Sequence, residues 1–472
     1  MKHIFKLFAV LVLVISANAC SKDFINRDKP LSMTESLIYS DADYIESALL
    51  GCYSTFKSSN PSFMSGLAYV VFDSRGDDIV NVSNPTTMQH TYEMKVLDTE
   101  QENGRIWDYA YYTINTCNIF LDNLVKYETE ELLGAETYAQ YVAEAKFIRA
   151  YSYYVLVNLY SLPYSINPSA KAVPLRLTGL VSGGNNDCPR ATISQVYEQI
   201  LADCVANALP DAPGTRDGVT RASAAAAHML RMRVYMAMED WDKAIAEGNA
   251  VTGYSLADDV TALYGEDTYN NKEIIFALPM STQDKPNTQM SAAEYFSSRA
   301  RVCWLDLEGG IMSKPGYFLA KDQRIAKLVT DADGNGYRYS KKFEDYGGKQ
   351  DWLPLIRFAE TKLNLAECYA NKADGTAQAK ANLKDVRRRS IAAADDVIEL
   401  DALSGGNLTS AIYNERRLEF ICEGIRGIDI IRRGESFVKK NSVVDLNIDP
   451  TNSYYIWPIT NTEKQFNKTL ND

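Results

Sequence analysis

Apolar positions recur every three to four residues along most of the chain, the spacing of amphipathic helices that share a core. Ser40 to Phe56 is the first such stretch. Arg105 to Lys126 and Thr137 to Tyr160 follow as an antiparallel pair. In the second of these, AEAKFIRAYSYYVLVNLY is apolar around most of its circumference, which predicts a buried helix that Pro163 stops. Ile193 to Leu209 is another helix, with Thr192 as its N-cap.

Two later stretches read as helix–turn–helix units. Ala222 to Met238, a break at Glu239-Asp240 and Trp241 to Val251 span about 34 residues and resemble a tetratricopeptide repeat. Ala222, Ala225 and Ala226 are small enough for close approach. Leu353 to Lys372, a break at Asp374-Gly375 and Ala377 to Arg389 repeat the pattern. Units of this kind stack into one core. The fold class expected is mainly α: tetratricopeptide-like helix pairs forming a scaffold, with a loop-rich ligand-binding face and a few short β-strands.

The texture changes in two places. Residues 255–350 are rich in Gly, Asn, Asp, Ser and Tyr, and 61–104 form a smaller irregular excursion. Glu273 to Leu278 is a strand candidate, and Asp333-Gly334-Asn335-Gly336 reads as a hairpin turn between Leu328 and Tyr339. Long irregular excursions in a helical protein tend to carry function.

The N-terminus follows a different logic. Lys2, His3 and Lys6 precede an unbroken apolar run, Leu7 to Ile15, and then Ala17-Asn18-Ala19. This is a signal peptide over residues 1–19, cut before Cys20. A bilayer span takes about 20 apolar residues, so the run is too short to anchor the chain. Ala-x-Ala suits an ordinary signal peptidase, whereas a Cys directly after the cut is what the lipoprotein pathway requires. The usual lipobox has Leu where Ala17 stands.

Charge and cysteine content narrow the function classes. The formal net charge is −12, and removal of Lys2 and Lys6 with the leader makes it more negative still. That disfavours nucleic acid and anionic membrane surfaces as partners. Besides Cys20 there are seven cysteines, scattered and without CxxC spacing. An odd number cannot pair completely, and several lie in helical apolar patterns, so mostly free, buried thiols are expected, with room for one disulfide.

Catalytic motifs are missing. Only His90 and His228 remain after the leader, and no GxSxG, HExxH, P-loop or GxGxxG before a helix occurs. No metal site is expected. Asp331, Asp333, Asn335 and Gly336 imitate the start of an EF-hand loop, but position twelve is Lys342 instead of a bidentate Glu, so a turn is expected there. A glycosidase carboxylate pair is defined by separation in space, and no local pattern raises one pair above the rest. Aromatics do stand out in the excursions: Tyr69, Tyr92, Tyr295, Trp304, Tyr317, Tyr337, Tyr339 and Tyr346. A flat ring offers an apolar face to a sugar. Tyr69, Tyr92, Tyr295, Trp304 and Tyr317 are the candidate ligand contacts.

Near the C-terminus, Asn414-Glu415-Arg416-Arg417-Leu418-Glu419-Phe420, then Glu423-Gly424-Ile425-Arg426-Gly427-Ile428-Asp429 and Arg432-Arg433-Gly434, resemble the hallmark of the SusD/RagB family. The stretch reads as a helix with Leu418, Ile421, Cys422 and Ile425 on one face and with Arg416–Glu419 and Glu423–Arg426 as neighbouring charges of structural role. Arg105-Ile106-Trp107 through Asn118, Glu144 to Ala150, Lys272 to Phe276, Arg357 to Cys368 and Tyr455 to Ile459 are similar to further family segments in the same order. The family's closing Asn-Pro-Gly-Tyr is absent. The resemblance implies an outer-membrane lipoprotein attached through Cys20, a tether over 20–30 and a single domain over 31–472. It also implies a SusC-like TonB-dependent transporter as partner, a glycan or sometimes a peptide as ligand, and no catalysis. A glycoside hydrolase on a helical scaffold is the alternative from another class.

Overall fold

The computed structural model describes residues 34–59, 62–81, 88–184, 186–332, 334 and 336–471. The signal peptide, Cys20 and the tether lie outside the described residues, as do Asp333 and Asn335 of the expected turn.

Among the described residues, eleven helices of seven or more residues form the scaffold: α1 (Ala42–Lys57), α2 (Leu67–Arg75), α3 (Gln101–Lys126), α4 (Ala135–Tyr160), α5 (Ile193–Asp203), α6 (Ala224–Ala237), α7 (Trp241–Ala250), α8 (Phe358–Ala370), α9 (Thr376–Ser390), α10 (Gly405–Glu419) and α11 (Arg426–Arg432). The strands are β1 (Ile79–Asn81), β2 (Lys171–Pro174), β3 (Arg190–Thr192), β4 (Ile274–Leu278), β5 (Cys303–Leu305), β6 (Val329–Thr330), β7 (Tyr339–Ser340), β8 (Leu353–Arg357), β9 (Phe437–Lys440) and β10 (Asp445–Ile448). They pair only as antiparallel two-stranded ribbons: β1–β5, β2–β3, β4–β8, β6–β7 and β9–β10.

Local chemistry explains the helix ends. Asp41 caps α1 by accepting from Asp43 N and Tyr44 N. Thr192 and Gln195 form a capping box at α5, at the N-cap position read from the sequence. Asp240 caps α7 at the expected break. α3 packs on α4, and α4 is buried on every side from Phe147 to Tyr160. The hairpin α6–α7 leans through α7 on the hairpin α8–α9, so the two repeat-like units stack as their spacing predicts. His228 Nδ1 lies 2.6 Å from Glu247 Oε2 and ties α6 to α7, a structural role.

Three expectations need correction. Leu353–Arg357 is a strand and not the first turn of a helix: Pro354 biases Leu353 to extended backbone, and β8 pairs with β4 in the interior. The excursion at 61–104 contains α2, nine residues that are all buried. The hallmark does not form one continuous helix. α10 ends at Glu419, and the backbone turns through Cys422 (φ +64°) and Gly424 (φ +71°) before α11, so Ile421, Cys422 and Ile425 leave the face that holds Leu418.

The hallmark charges also pair at long range. Glu419 meets Arg389 at 2.6 Å, Arg357 at 3.0 Å and Arg324 at 3.1 Å. Glu423 accepts from Arg357 at 2.8 Å and from Lys342. Arg416 donates twice to Asp429, and Arg432 donates to Asp429 and Glu367. Burial alone would raise the Glu419 carboxyl, but Arg389, Arg357 and Arg324 outweigh it and hold it well below the usual range. The motif glycines have a packing reason. A Cβ on Gly427 would stand 2.4 Å from Phe72 O, so glycine is what lets α11 lie against α2. The seven described cysteines are all free, six of them buried and Cys188 half-buried.

Candidate functional site

The excursion at 255–350 and the C-terminal hairpin meet on one face. In β5, Cys303 and Leu305 point into the core and are 1% exposed, so strand alternation turns Trp304 outward, opposite Val80 of β1. The loop between β6 and β7 returns over it. Leu305 N donates to Arg338 O at 2.8 Å, and Arg338 pairs with Asp331 at 2.6 Å, which holds the loop down. Tyr337 thereby stacks on Trp304, with ring centroids 4.1 Å apart and planes 28° from parallel, and it remains 43% exposed.

Beside this pair is a cleft of about 260 Å³ lined by Trp304, Tyr337, Asp306, Glu308, Asn441 and Ser442, among others. Its floor is fixed by hydrogen bonds. Asp306 Oδ1 accepts from Glu308 N and Gly309 N, both at 2.8 Å, and Oδ2 accepts from Asn441 Nδ2 at 2.8 Å. Asn441 Nδ2 also donates to Tyr92 Oη at 3.0 Å. Glu308, Asn441 and Ser442 continue into a second trough of about 830 Å³ that reaches Asp77, Lys314, Arg417, Lys440 and Asp445.

The five aromatic candidates separate sharply. Trp304 alone reaches this surface. Tyr69 is buried in α2 and donates to Pro354 O. Tyr92 is 1% exposed under the cleft and meets it only through Asn441. Tyr295 is buried and donates to Gln289 O at 3.0 Å. Tyr317 is buried, donates to Ala411 O at 3.3 Å and lies under the Arg387 guanidinium. Burial pushes all four phenols up. Segments that look like surface loops by composition fold these rings inward, where a backbone carbonyl or an amide side chain takes each polar tip. Tyr339 is buried too, and Tyr346 is exposed away from the cleft lining.

Sequence reasoning missed Asp306, Glu308 and Asn441. Asn441-Ser442 between FVKK and DLNI did carry a hairpin signal, turn residues between two short alternating runs. Among the described residues, no group of three or more His, Cys, Asp or Glu side chains is placed to hold a metal ion.

Known proteins share this architecture. Residues 32–236 match the family model described as starch-binding associating with outer membrane, and residues 320–471 match that of the SusD family. A SusD superfamily protein from Bacteroides fragilis is 49% identical, with 92% of this chain and 100% of that chain covered and a TM-score of 0.88. A SusD-like carbohydrate binding protein from Bacteroides vulgatus has the same fold at 21% identity, with 91% and 97% coverage and a TM-score of 0.73. SusD-like protein P25 of Formosa agariphila is 22% identical over 89% of this chain and 88% of its own length. With a relative identical at half its positions over nearly the whole length, a shared helical scaffold and the hallmark folded around buried charges, the chain belongs to the SusD/RagB family.

Proposed function

We propose that this protein is a non-catalytic glycan-binding lipoprotein of the outer membrane, anchored through Cys20 and facing the cell surface. It captures oligo- or polysaccharides and delivers them to a SusC-like TonB-dependent transporter. Residues 1–19 are the leader, 20–30 the tether and 31–472 the single binding domain.

The observation that carries the glycan reading is the stacked Trp304–Tyr337 pair beside a polar cleft. An exposed ring face suits the C–H face of a sugar, and the neighbouring amide, hydroxyl and carboxylate groups match its hydroxyls. Family membership and the carbohydrate-binding neighbour support the same reading. Binding without hydrolysis is supported by Asp306, the buried carboxylate of the cleft, which spends both oxygens on structural hydrogen bonds.

Affinity electrophoresis through immobilised polysaccharides tests the site. Trp304→Ala should abolish retardation on the polysaccharide that retains the unaltered protein. Unchanged mobility on every bound polysaccharide would remove Trp304 from the site. A glycan array run beside a peptide library distinguishes a sugar ligand from a peptide.

A further inference from the structure

Not all charges in the second trough are free to meet a ligand. Asp77 is occupied: Arg426 and Arg417 both bind it, and Arg417 is also held by Asp78 at 2.6 Å. Glu308 Oε2 accepts from Ser442 N across the junction of the two cavities. Two ammonium groups are left. Lys314 follows the short turn Ile311–Ser313, and Lys440 ends β9. β9 alternates Phe437 in, Val438 out, Lys439 in and Lys440 out, so Val438 and Lys440 share the trough face. Neither the Lys314 nor the Lys440 Nζ makes a hydrogen bond or ion pair with a described residue. Asp445 sits opposite Lys440 in the ladder register without forming an ion pair with it.

The trough lining is therefore formally balanced in a chain of net charge −12: with the Asp77–Arg417 pair closed, two ammoniums of three N–H each stand without a partner among the described residues, beside the carboxylates of Asp445 and of Glu308, which holds one backbone N–H. A neutral sugar would offer the ammoniums hydroxyl acceptors but no compensating charge. An anionic group would convert them to charge-assisted hydrogen bonds, which are about twice as strong as neutral ones.

We propose that this trough is a second subsite that takes an anionic substituent of the glycan, a uronate carboxylate or a sulfate ester, while the Trp304–Tyr337 pair holds the adjoining sugar ring. The proposal rests on the glycan-binding reading and names its ligand class. The two cavities share Glu308, Asn441 and Ser442, so one continuous oligosaccharide can occupy both.

The test is titration calorimetry of the full mature domain with three oligosaccharide sets: neutral, uronate-bearing and sulfated. At least one acidic set should bind about tenfold tighter than the neutral set, and its affinity should fall with added salt. In Lys314→Gln/Lys440→Gln that preference should vanish, the acidic sets falling to the affinity of the neutral set. Both lysines are exposed, so the variant should melt with the native protein. Preference for the uronate set over the sulfate set, or the reverse, identifies which anion the trough takes. Equal binding of neutral and acidic sets, or an acidic preference that survives the double substitution, overturns the proposal and leaves the platform intact. Full binding by Trp304→Ala would instead refute the platform, and failure of every set to bind refutes both.

Discussion

Arg357 gives a quantitative test of the scaffold. Its guanidinium is 1% exposed and meets Glu273, Glu419 and Glu423, donating at 3.0 Å to Glu419 and at 2.8 and 2.9 Å to Glu423. Arg357→Met keeps the volume and leaves three carboxylates with less compensation. Removing one partner of a buried ion network costs about 3–5 kcal/mol. With about 2.1 cal/mol/K of unfolding entropy per residue and roughly 440 residues, the melting temperature should fall by about 3–6 °C. The pH dependence carries its own sign. In the native protein, Arg357 and Lys342 outweigh burial and hold the Glu423 carboxyl below its ordinary value, and Glu419 lies lower still. Depressed acids stabilise above the unfolded pKa, and that contribution is lost as the pH falls through the folded value. In the variant, Glu273, Glu419 and Glu423 each lose one cation and keep another, so their values rise from the native ones and part of the loss is regained as they take up protons. The deficit against the native protein should therefore be largest at pH 8 and shrink towards pH 5. Calorimetric scans at both pH values measure it. A loss below 1 °C, or a deficit that grows on acidification, would refute the account.

Other outcomes follow from the same structure. Burial pushes the Asp73 carboxyl up to about 8, and a raised acid loses stability as the pH climbs from its unfolded value near 4 towards 8. Asp73→Asn keeps an acceptor for Gly424 N and should raise the melting temperature at pH 8 more than at pH 5. Gly427→Ala forces a Cβ towards Phe72 O and should cost about 1–3 kcal/mol, read as a lower urea midpoint with unchanged slope. Tyr337→Ala should weaken glycan retention by about tenfold or less, and less than Trp304→Ala does, since the indole itself remains on its strand. Mass spectrometry of the mature N-terminus should find a diacylglyceryl-bearing Cys20, and an unmodified cysteine there would refute the lipid anchor.

Helix periodicity made most of the scaffold legible, because 3.6-residue repeats and caps such as Thr192 and Asp240 are local signals. β8 was misread because LPLIR is apolar at every position, and a short apolar run does not distinguish a buried strand from a buried helix. The hallmark charges were visible as residues, but their partners were not. Arg416 prefers Asp429 to the nearer Glu419, since the turn through Cys422 redirects the chain. The site was the least legible. Composition marked eight aromatics alike, and only the strand register of β5 separates Trp304 from rings that pack inward.

The clasp between Arg417 and Asp78 joins residues 339 apart in the chain, and that between Arg426 and Asp77 joins residues 349 apart. β1 and the C-terminal hairpin come from opposite ends of the domain yet border the same cleft, through Val80 and through Asn441 and Ser442. Contacts so distant in sequence close late in folding. During synthesis and export the scaffold helices can form from local contacts, but the ligand face is completed only when the last segment arrives. A chain cut before β9 would keep many of its helices and lose the trough.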